Sequence, residues 1–229
     1  MTLRQSISTY ISRAAISLVL LLAWLPTDAQ KLFRLEKDTI PLMRGFQVSV
    51  DVVGAAQLVL SDYGQYEAAV RLNLHDQWFP IVEVGYGQAN HAEDAVTGLA
   101  YKTQAPYFRA GVDFNLLKKK HQDNRLFAGF RYGYTSYKVD VWREDFLDPV
   151  WQWITHYEVR GMQCNQHWVE AVFGLDAQVF GPLHLGWSLR YRQRLSHREG
   201  ELGSTWYVPG FGTQDSSNIG ATFNVIIDI

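Results

Sequence analysis

The chain has 229 residues, with 21 Lys and Arg against 23 Asp and Glu for a formal net charge of −2. Near-neutrality, with no basic run longer than Lys118-Lys119-Lys120, excludes an electrostatic nucleic-acid binder, and the lone Cys164 excludes an internal disulfide. Aromatic residues make up 14% of the chain, a share that favours strands and half-apolar interfaces.

In chain order, the first element is an export signal. Arg4 and Arg13 lead into an uncharged apolar run from Ala14 to Leu25; Pro26 ends it, and Thr27-Asp28-Ala29 places a small residue ahead of Gln30. This is the layout of a secretory signal peptide over residues 1–29, with an apolar core too short for the ~20 residues of a membrane-spanning helix. No cysteine lies near the cut, which argues against a lipoprotein anchor. Residues 30–44 read as a periplasmic N-terminal segment and residues 45–229 as the folded domain.

From there the pattern has a period of two. Apolar and polar residues alternate through Phe46–Val52, Tyr66–Leu74, Pro80–Gly87, Phe108–Leu116, Leu126–Thr135, Val169–Val179, Leu183–Leu195 and Ile219–Ile229, which predicts eight strands. Each has about ten residues, and a tilted strand crosses a bilayer's hydrocarbon in ~9–11. Short connectors (His75-Asp76-Gln77, Lys118 to Asn124, Gly181-Pro182) alternate with long ones (Gln88 to Gln104, Val139 to Asn165, Ser196 to Ser216). The first connector, Ser61 to Gln65, breaks the rule by being short. Val139 to Gln163 reads as a hairpin extending strands five and six, because Arg143, Glu144, Asp145 and Asp148 would fit lipid badly; Cys164 is expected in that loop. The predicted fold is all-β: an eight-stranded antiparallel up-and-down transmembrane β-barrel with long extracellular loops.

Three features turn the polar face inward. Its cations are Arg71, Arg109, Arg131, Arg190, Arg192 and Arg194, with no lysine, as a confined interior favours. Asp51, Glu67, Glu83, Asp113, Glu170, Asp176 and Asp228 nearly neutralise them, as buried charge requires. Strand glycines such as Gly85, Gly111, Gly129, Gly133 and Gly174 share this face and leave room beside the arginines. The apolar face then meets lipid, with Phe46, Tyr66, Tyr86, Phe108, Tyr132, Tyr134, Trp187 and Tyr191 forming an aromatic girdle.

The blocks "LSDYGQYE", "PYFRAGVDFNLLKKK", "DNRLFAGFRYGYTS", "DPVW", "GPLHLGWSLRYR" and "WYVPGFG" resemble an outer-membrane barrel family of Bacteroides-type gut bacteria, catalogued as a domain of unknown function. The match runs roughly from Gly45 to Ile229. The resemblance implies a bacterial outer-membrane barrel and no reaction, substrate or catalytic residue.

The constellations that carry chemistry are few. The lumen charges read as a salt-bridged plug before they read as a narrow channel, since eight strands leave little bore. Ser196, His197 and Glu199 supply the residue types of an outer-leaflet lipid hydrolase, but adjacent strand residues rarely converge. His91 to Asp94 offers an imidazole and two carboxylates in a long outer loop, where a metal would need a fixed geometry and a further ligand, and reads as a solvated loop. The outer loops carry Tyr101, Trp142, Phe146, Trp151, Trp153, Tyr157, Trp206, Tyr207 and Phe211; of these, Trp142, Trp151, Trp153, Tyr157, Trp206 and Tyr207 are the recognition candidates. The expected protein is therefore a structural or surface-recognition barrel of the bacterial outer membrane, not an enzyme, with no cofactor or metal. Its expected partners are outer-membrane lipid and lipopolysaccharide, the barrel-assembly machinery during insertion, and an extracellular glycan or protein. A lipid-modifying hydrolase and a narrow channel are the alternatives.

Overall fold

The computed structural model describes residues 41–229 apart from 93–97, 148, 149, 151, 199–204 and 214. The expected signal peptide and nearly all of the 30–44 segment lie outside the described residues. In chain order the elements are β1 (Met43–Asp51), α1 (Val52–Leu60), β2 (Tyr63–Leu74), β3 (Trp78–His91), β4 (Leu99–Asn115), β5 (Arg125–Leu147), β6 (Ile154–Phe180), β7 (Leu183–Arg198), β8 (Tyr207–Val208), β9 (Gly212–Thr213) and β10 (Ser217–Asp228). β8 and β9 pair only with each other; the other eight strands close into one antiparallel barrel in which each lies beside its sequence neighbour. β10 returns to β1 through pairs from Gln47↔Asp228 to Asp51↔Asn224.

Period-two patterning becomes a two-faced wall. Outward side chains such as Tyr66, Val70, Val84, Phe108, Phe130, Leu189 and Phe223 are exposed, whereas Glu83, Arg109, Asp113, Arg131, Glu170 and Asp176 on the inner face are no more than 1% exposed. Toward the long-loop rim the chemistry of the two faces exchanges while the alternation keeps its phase. On β4, Lys102 and Gln104 turn outward and Tyr101, Thr103 and Ala105 are buried. On β5 and β6, Lys138 and Gln163 are exposed while Tyr137, Val139, Met162 and Cys164 are buried. Two expectations are corrected by this. Gln88 to Gln104 is mostly strand rather than loop, and Cys164 sits in β6 inside the barrel. The physical reason is that these inward residues have an apolar partner to cover.

That partner is the β8–β9 hairpin, which folds back into the barrel mouth. Tyr207, Val208 and Phe211 are at most 1% exposed and pack with Ala89, Tyr101, Ala105, Tyr107, Tyr137, Val139, Met162, Cys164 and Trp168. At the hairpin's turn, Gly210 has φ +80°, and a Cβ there would lie 2.4 Å from the Tyr107 ring, so only glycine fits.

α1 brings a further correction. Val52 is not a strand residue, and the connector after β1 is a nine-residue helix rather than a short turn. Val52–Leu60 is apolar except for Gln57 and does not alternate, so it offers no strand face. Asp51 ends β1 and caps the helix: its carboxylate accepts the Val53 and Gly54 N–H groups, each at 3.1 Å, and the Phe223 N–H of β10 at 3.2 Å. Asp51, expected in the lumen ion network, lines the central cavity with Glu67 and Arg190 but makes no ion pair among the described residues, and its carboxylate serves as this junction.

Asp51→Ala removes all three acceptor contacts and is expected to destabilise the barrel by about 1–2 kcal/mol, the scale of a lost helix cap. Asp51→Asn, which keeps an acceptor oxygen, should lose less. Heat-modified mobility on a denaturing gel reads both; equal melting of the two variants and the parent would refute the junction.

Candidate functional site

The centre of the lumen is a cluster of ion pairs in which alternation on β2 to β7 aims every charge at the axis. Glu83 of β3 receives three arginines: Arg190 at 2.8 Å, Arg109 at 2.9 Å and Arg131 at 3.2 Å. Arg109 also reaches Glu67 at 2.7 Å and Glu170 at 3.0 Å, and Arg190 reaches Glu67 at 3.2 Å. Arg131 grips Asp113 with both terminal nitrogens, at 2.6 and 2.9 Å. Arg71 bridges Asp113 at 3.1 Å and Asp176 at 2.5 Å. Arg192 lies 3.5 Å from Glu170. The five arginines Arg71, Arg109, Arg131, Arg190 and Arg192 thus meet the five carboxylates Glu67, Glu83, Asp113, Glu170 and Asp176.

Neutral donors and carbonyls add to the coordination. The Tyr107 hydroxyl donates to Glu67 at 2.6 Å, and the Trp168 indole N–H donates to Glu170 at 2.6 Å. Trp168 takes its place because Gly133 leaves room: a Cβ there would meet the indole at 2.2 Å. From the hairpin, the Gly210 and Phe211 carbonyls accept from Arg109 and Arg192, both at 2.8 Å. The cavity left among Glu67, Arg71, Glu83, Arg131 and Arg190 measures about 10 Å³. That is the lower bound for a single water.

Ten of the thirteen charges read from the sequence as a lumen network meet in this cluster; Asp51, Arg194 and Asp228 do not. Arg194 is half-buried near the outer end of β7, with no carboxylate partner among the described residues. Asp228 belongs to a second group at the short-turn rim, where His184 Nε2 lies 3.1 Å and Arg125 Nη2 3.5 Å from its carboxylate and the Gln47 amide donates to it. There Asp76 accepts from Arg44 and from His121 Nδ1, the latter at 2.7 Å, beside a cavity of about 240 Å³. Burial works to raise the Asp76 carboxyl, but hydrogen bonds from His121, Asn73 and Arg44 prevail and hold it below the usual carboxylate range. His184 falls on the polar face of the Leu183–Leu195 alternation, but Arg44, Asp76, His121 and Arg125 escaped sequence reasoning. They sit in turns or at strand ends, where alternation gives no signal.

Among the recognition candidates, Tyr207 is corrected: it is 1% exposed and faces the lumen rather than a partner. Trp206 stacks on His91 at 4.9 Å and meets Tyr63 edge-on at 5.8 Å. Trp142 and Tyr157 lie on the extended β5–β6 hairpin, and Trp153 is exposed near its tip beside Val150 and Ile154. Trp151 lies outside the described residues. Ser196 is exposed and its neighbour His197 is half-buried, with Nε2 3.2 Å from the Tyr137 hydroxyl, so the two turn to opposite faces of β7; Glu199 lies outside the described residues. Among the described residues no group of three metal-binding side chains gathers, and Glu93 and Asp94 fall outside them.

A protein family described as a domain of unknown function (DUF6048) matches residues 9–228, and the chain belongs to it. No curated protein matches. Among solved structures, neisserial surface protein A is similar at 10% identity, over 82% of this chain and 99% of that one, with a TM-score of 0.46. A major outer membrane protein from Thermus thermophilus is similar at 12% identity, over 81% and 100% of the two chains, with a TM-score of 0.47. Ail, the attachment invasion locus protein of Yersinia pestis, is similar at 10% identity, over 81% and 99%, with a TM-score of 0.41.

Asp113→Leu leaves the buried Arg131 without its two-point partner and is expected to cost about 3–5 kcal/mol. Adding Arg131→Leu should recover a large part of that loss, because Glu83 keeps Arg109 and Arg190. Denaturant titration of the two single variants and the double variant measures the coupling, and strict additivity would show the pair to be independent.

Proposed function

We propose that this protein is a transmembrane barrel of the bacterial outer membrane, exported by its signal peptide, with a closed lumen and a structural and surface-recognition role rather than an enzymatic one. One observation carries the reading. A single wall holds exposed apolar and aromatic side chains outside and near-neutral, fully buried ion pairs inside. In water this wall would expose a continuous apolar belt while desolvating ten charged groups, the reverse of what a soluble fold does. In a bilayer both faces are satisfied: the belt meets acyl chains, and strand closure leaves few backbone groups unpaired. On β4 the outward apolar run from Pro106 to Phe114 is about the length that spans hydrocarbon. The resemblance in the residue blocks supports a Bacteroides-type host.

The lumen cluster makes a plug. Two-point arginine–carboxylate pairs, a central cavity of about 10 Å³ and the hairpin packed above them support, among the described residues, a lumen closed to ions. Function is then carried by what projects beyond the belt. The β5–β6 hairpin rises past it, with Val150, Trp153 and Ile154 exposed near its end. Exposed apolar side chains on a two-stranded arm are suited to capture lipopolysaccharide, a surface glycan or another protein. Trp206, stacked on His91, braces the mouth.

The purified protein should need detergent to stay dispersed and should show no steady conductance steps in planar bilayers; reproducible openings would overturn the sealed lumen. Trp153→Ala should reduce attachment of protein-bearing vesicles to lipopolysaccharide, glycan or host-surface arrays while heat-modified mobility is unchanged. Lipid A mass spectra should be the same in cells with and without the protein, and a missing or added acyl or phosphate group would restore the hydrolase alternative.

A further inference from the structure

The barrel wall is not strand all the way round. β1 pairs with β10 only over Gln47–Asp51 and with β2 only over Met43–Val50. Beyond that height, β10 from Phe223 to Ser217 pairs with β7 alone, and β2 from Glu67 to Tyr63 pairs with β3 alone. α1 fills the gap unequally. It presses on β2, where a Cβ on Gly54 would lie 2.7 Å from the Gln65 carbonyl oxygen and one on Gly64 2.5 Å from the Leu58 nitrogen. On the β10 side it leaves a cavity of about 280 Å³.

That cavity is lined from both faces of the wall. Arg192, Tyr207 and Gly212 border it from the lumen; Gln57, Ile219 and Ala221, all exposed on the outer surface or at β10's edge, border it from outside. Its height is fixed by register: Ile219 and Ala221 pair with Tyr191 and Leu189 of the apolar belt, and the next pair on the outer face is Ser217↔Gln193. The opening therefore straddles the boundary between belt and polar rim. At its inner end is a cation. Arg192 is 7% exposed; Nη1 donates to the Phe211 carbonyl and Nε is 3.5 Å from Glu170. Nη2 lies over Gly220, where a Cβ would come within 3.0 Å, and Nε is buried without a hydrogen-bond partner. Asp51 also borders the cavity, but its carboxylate is held by the Val53, Gly54 and Phe223 N–H groups.

We infer that this lateral window binds the phosphate of an outer-leaflet lipid head, with Arg192 receiving the charge and the acyl chains remaining in the belt beside Ile219 and α1. The volume is near the small end of ligand sites, about 300–1,000 Å³, and suits a head rather than a whole lipid. Position selects the source: a group entering between Ile219 and Gln57 comes from the membrane, and the boundary height matches its head. The inference rests on the belt being lipid-facing.

The test uses the full protein in nanodiscs of phosphatidylglycerol or of a neutral phosphate-free galactolipid, with retained lipid counted by native mass spectrometry. The parent should retain the phospholipid about tenfold over the galactolipid, the scale of one charge-assisted hydrogen bond. Gln57→Trp, on the exposed helix face, and Ala221→Trp, on the exposed face of β10, should each abolish that preference with heat-modified mobility preserved. Equal retention of the two lipids, or a preference untouched by either substitution, would overturn the window. Displacement of the retained lipid by excess inorganic phosphate would also overturn it, by showing a soluble-phosphate site. A protein that stays dispersed without detergent and does not enter nanodiscs would instead overturn the membrane reading.

Discussion

A guanidinium or carboxylate taken out of water must find its opposite, and the lumen is organised around that requirement. Glu83 is the focus. Its three arginines come from β4, β5 and β7, and through Glu67, Asp113 and Glu170 the same arginines reach β2, β4 and β6. Strand register is thereby fixed from inside as well as by the backbone ladder. A slip of one residue in any of these strands would carry its charge to the apolar face and leave a partner buried and unpaired, at several kcal/mol. The cluster is better understood as specifying one arrangement than as adding stability, since well-packed apolar residues of similar volume often do as well in such places.

The hairpin between β7 and β10 depends on this cluster and completes it. Arg109 and Arg192 still have donors to satisfy above the carboxylates, and the Gly210 and Phe211 carbonyls supply the acceptors. To bring those carbonyls down, the chain must enter the mouth, and its side chains must then be covered. Tyr101, Tyr137, Val139 and Met162 cover them, which is why β4, β5 and β6 stay paired far beyond the apolar belt. The long strands, the buried hairpin and the exchange of polarity along the wall share one cause.

The lower barrel was legible in the sequence because two signals coincided there. Alternation gave the strands, and the choice of arginine over lysine on one face, balanced by acids, gave the direction of that face. Where the signals separate, reading fails. Tyr101 and Ala105 keep the alternation but carry apolar groups inward, so a rule tying apolar to lipid turned the ends of β3 and β4 into loop, whereas the hairpin read over Val139 to Gln163 is found as the extension of β5 and β6. Tyr207 looks like any loop aromatic, and nothing local says that its backbone is drawn inward by arginines on β4 and β7. Arg125 and Asp76 lie at strand ends and in a turn, where pairing is decided by three-dimensional proximity alone. Val52–Leu60 is the instructive miss: Asp51 was read by its charge, as a network member, when its position before an unpatterned apolar run marks a helix cap.

That helix follows from the same constraints. Continued as a strand, Val53, Ala55 and Val59 would turn toward the lumen and offer nothing to the charges there, while Gln57 would enter a mouth already filled by Tyr207 and the hairpin. Coiled as a helix, the segment satisfies its own backbone and turns Val52, Val59 and Leu60 outward. The edge of β10 is then held to the end of β1 by the Asp51 carboxylate on the Phe223 N–H. Lumen filling and wall continuity are thus in competition at this height. The hairpin that caps the arginines occupies the space a fully paired wall would need for inward side chains, and the opening beside Arg192 lies where that competition is resolved.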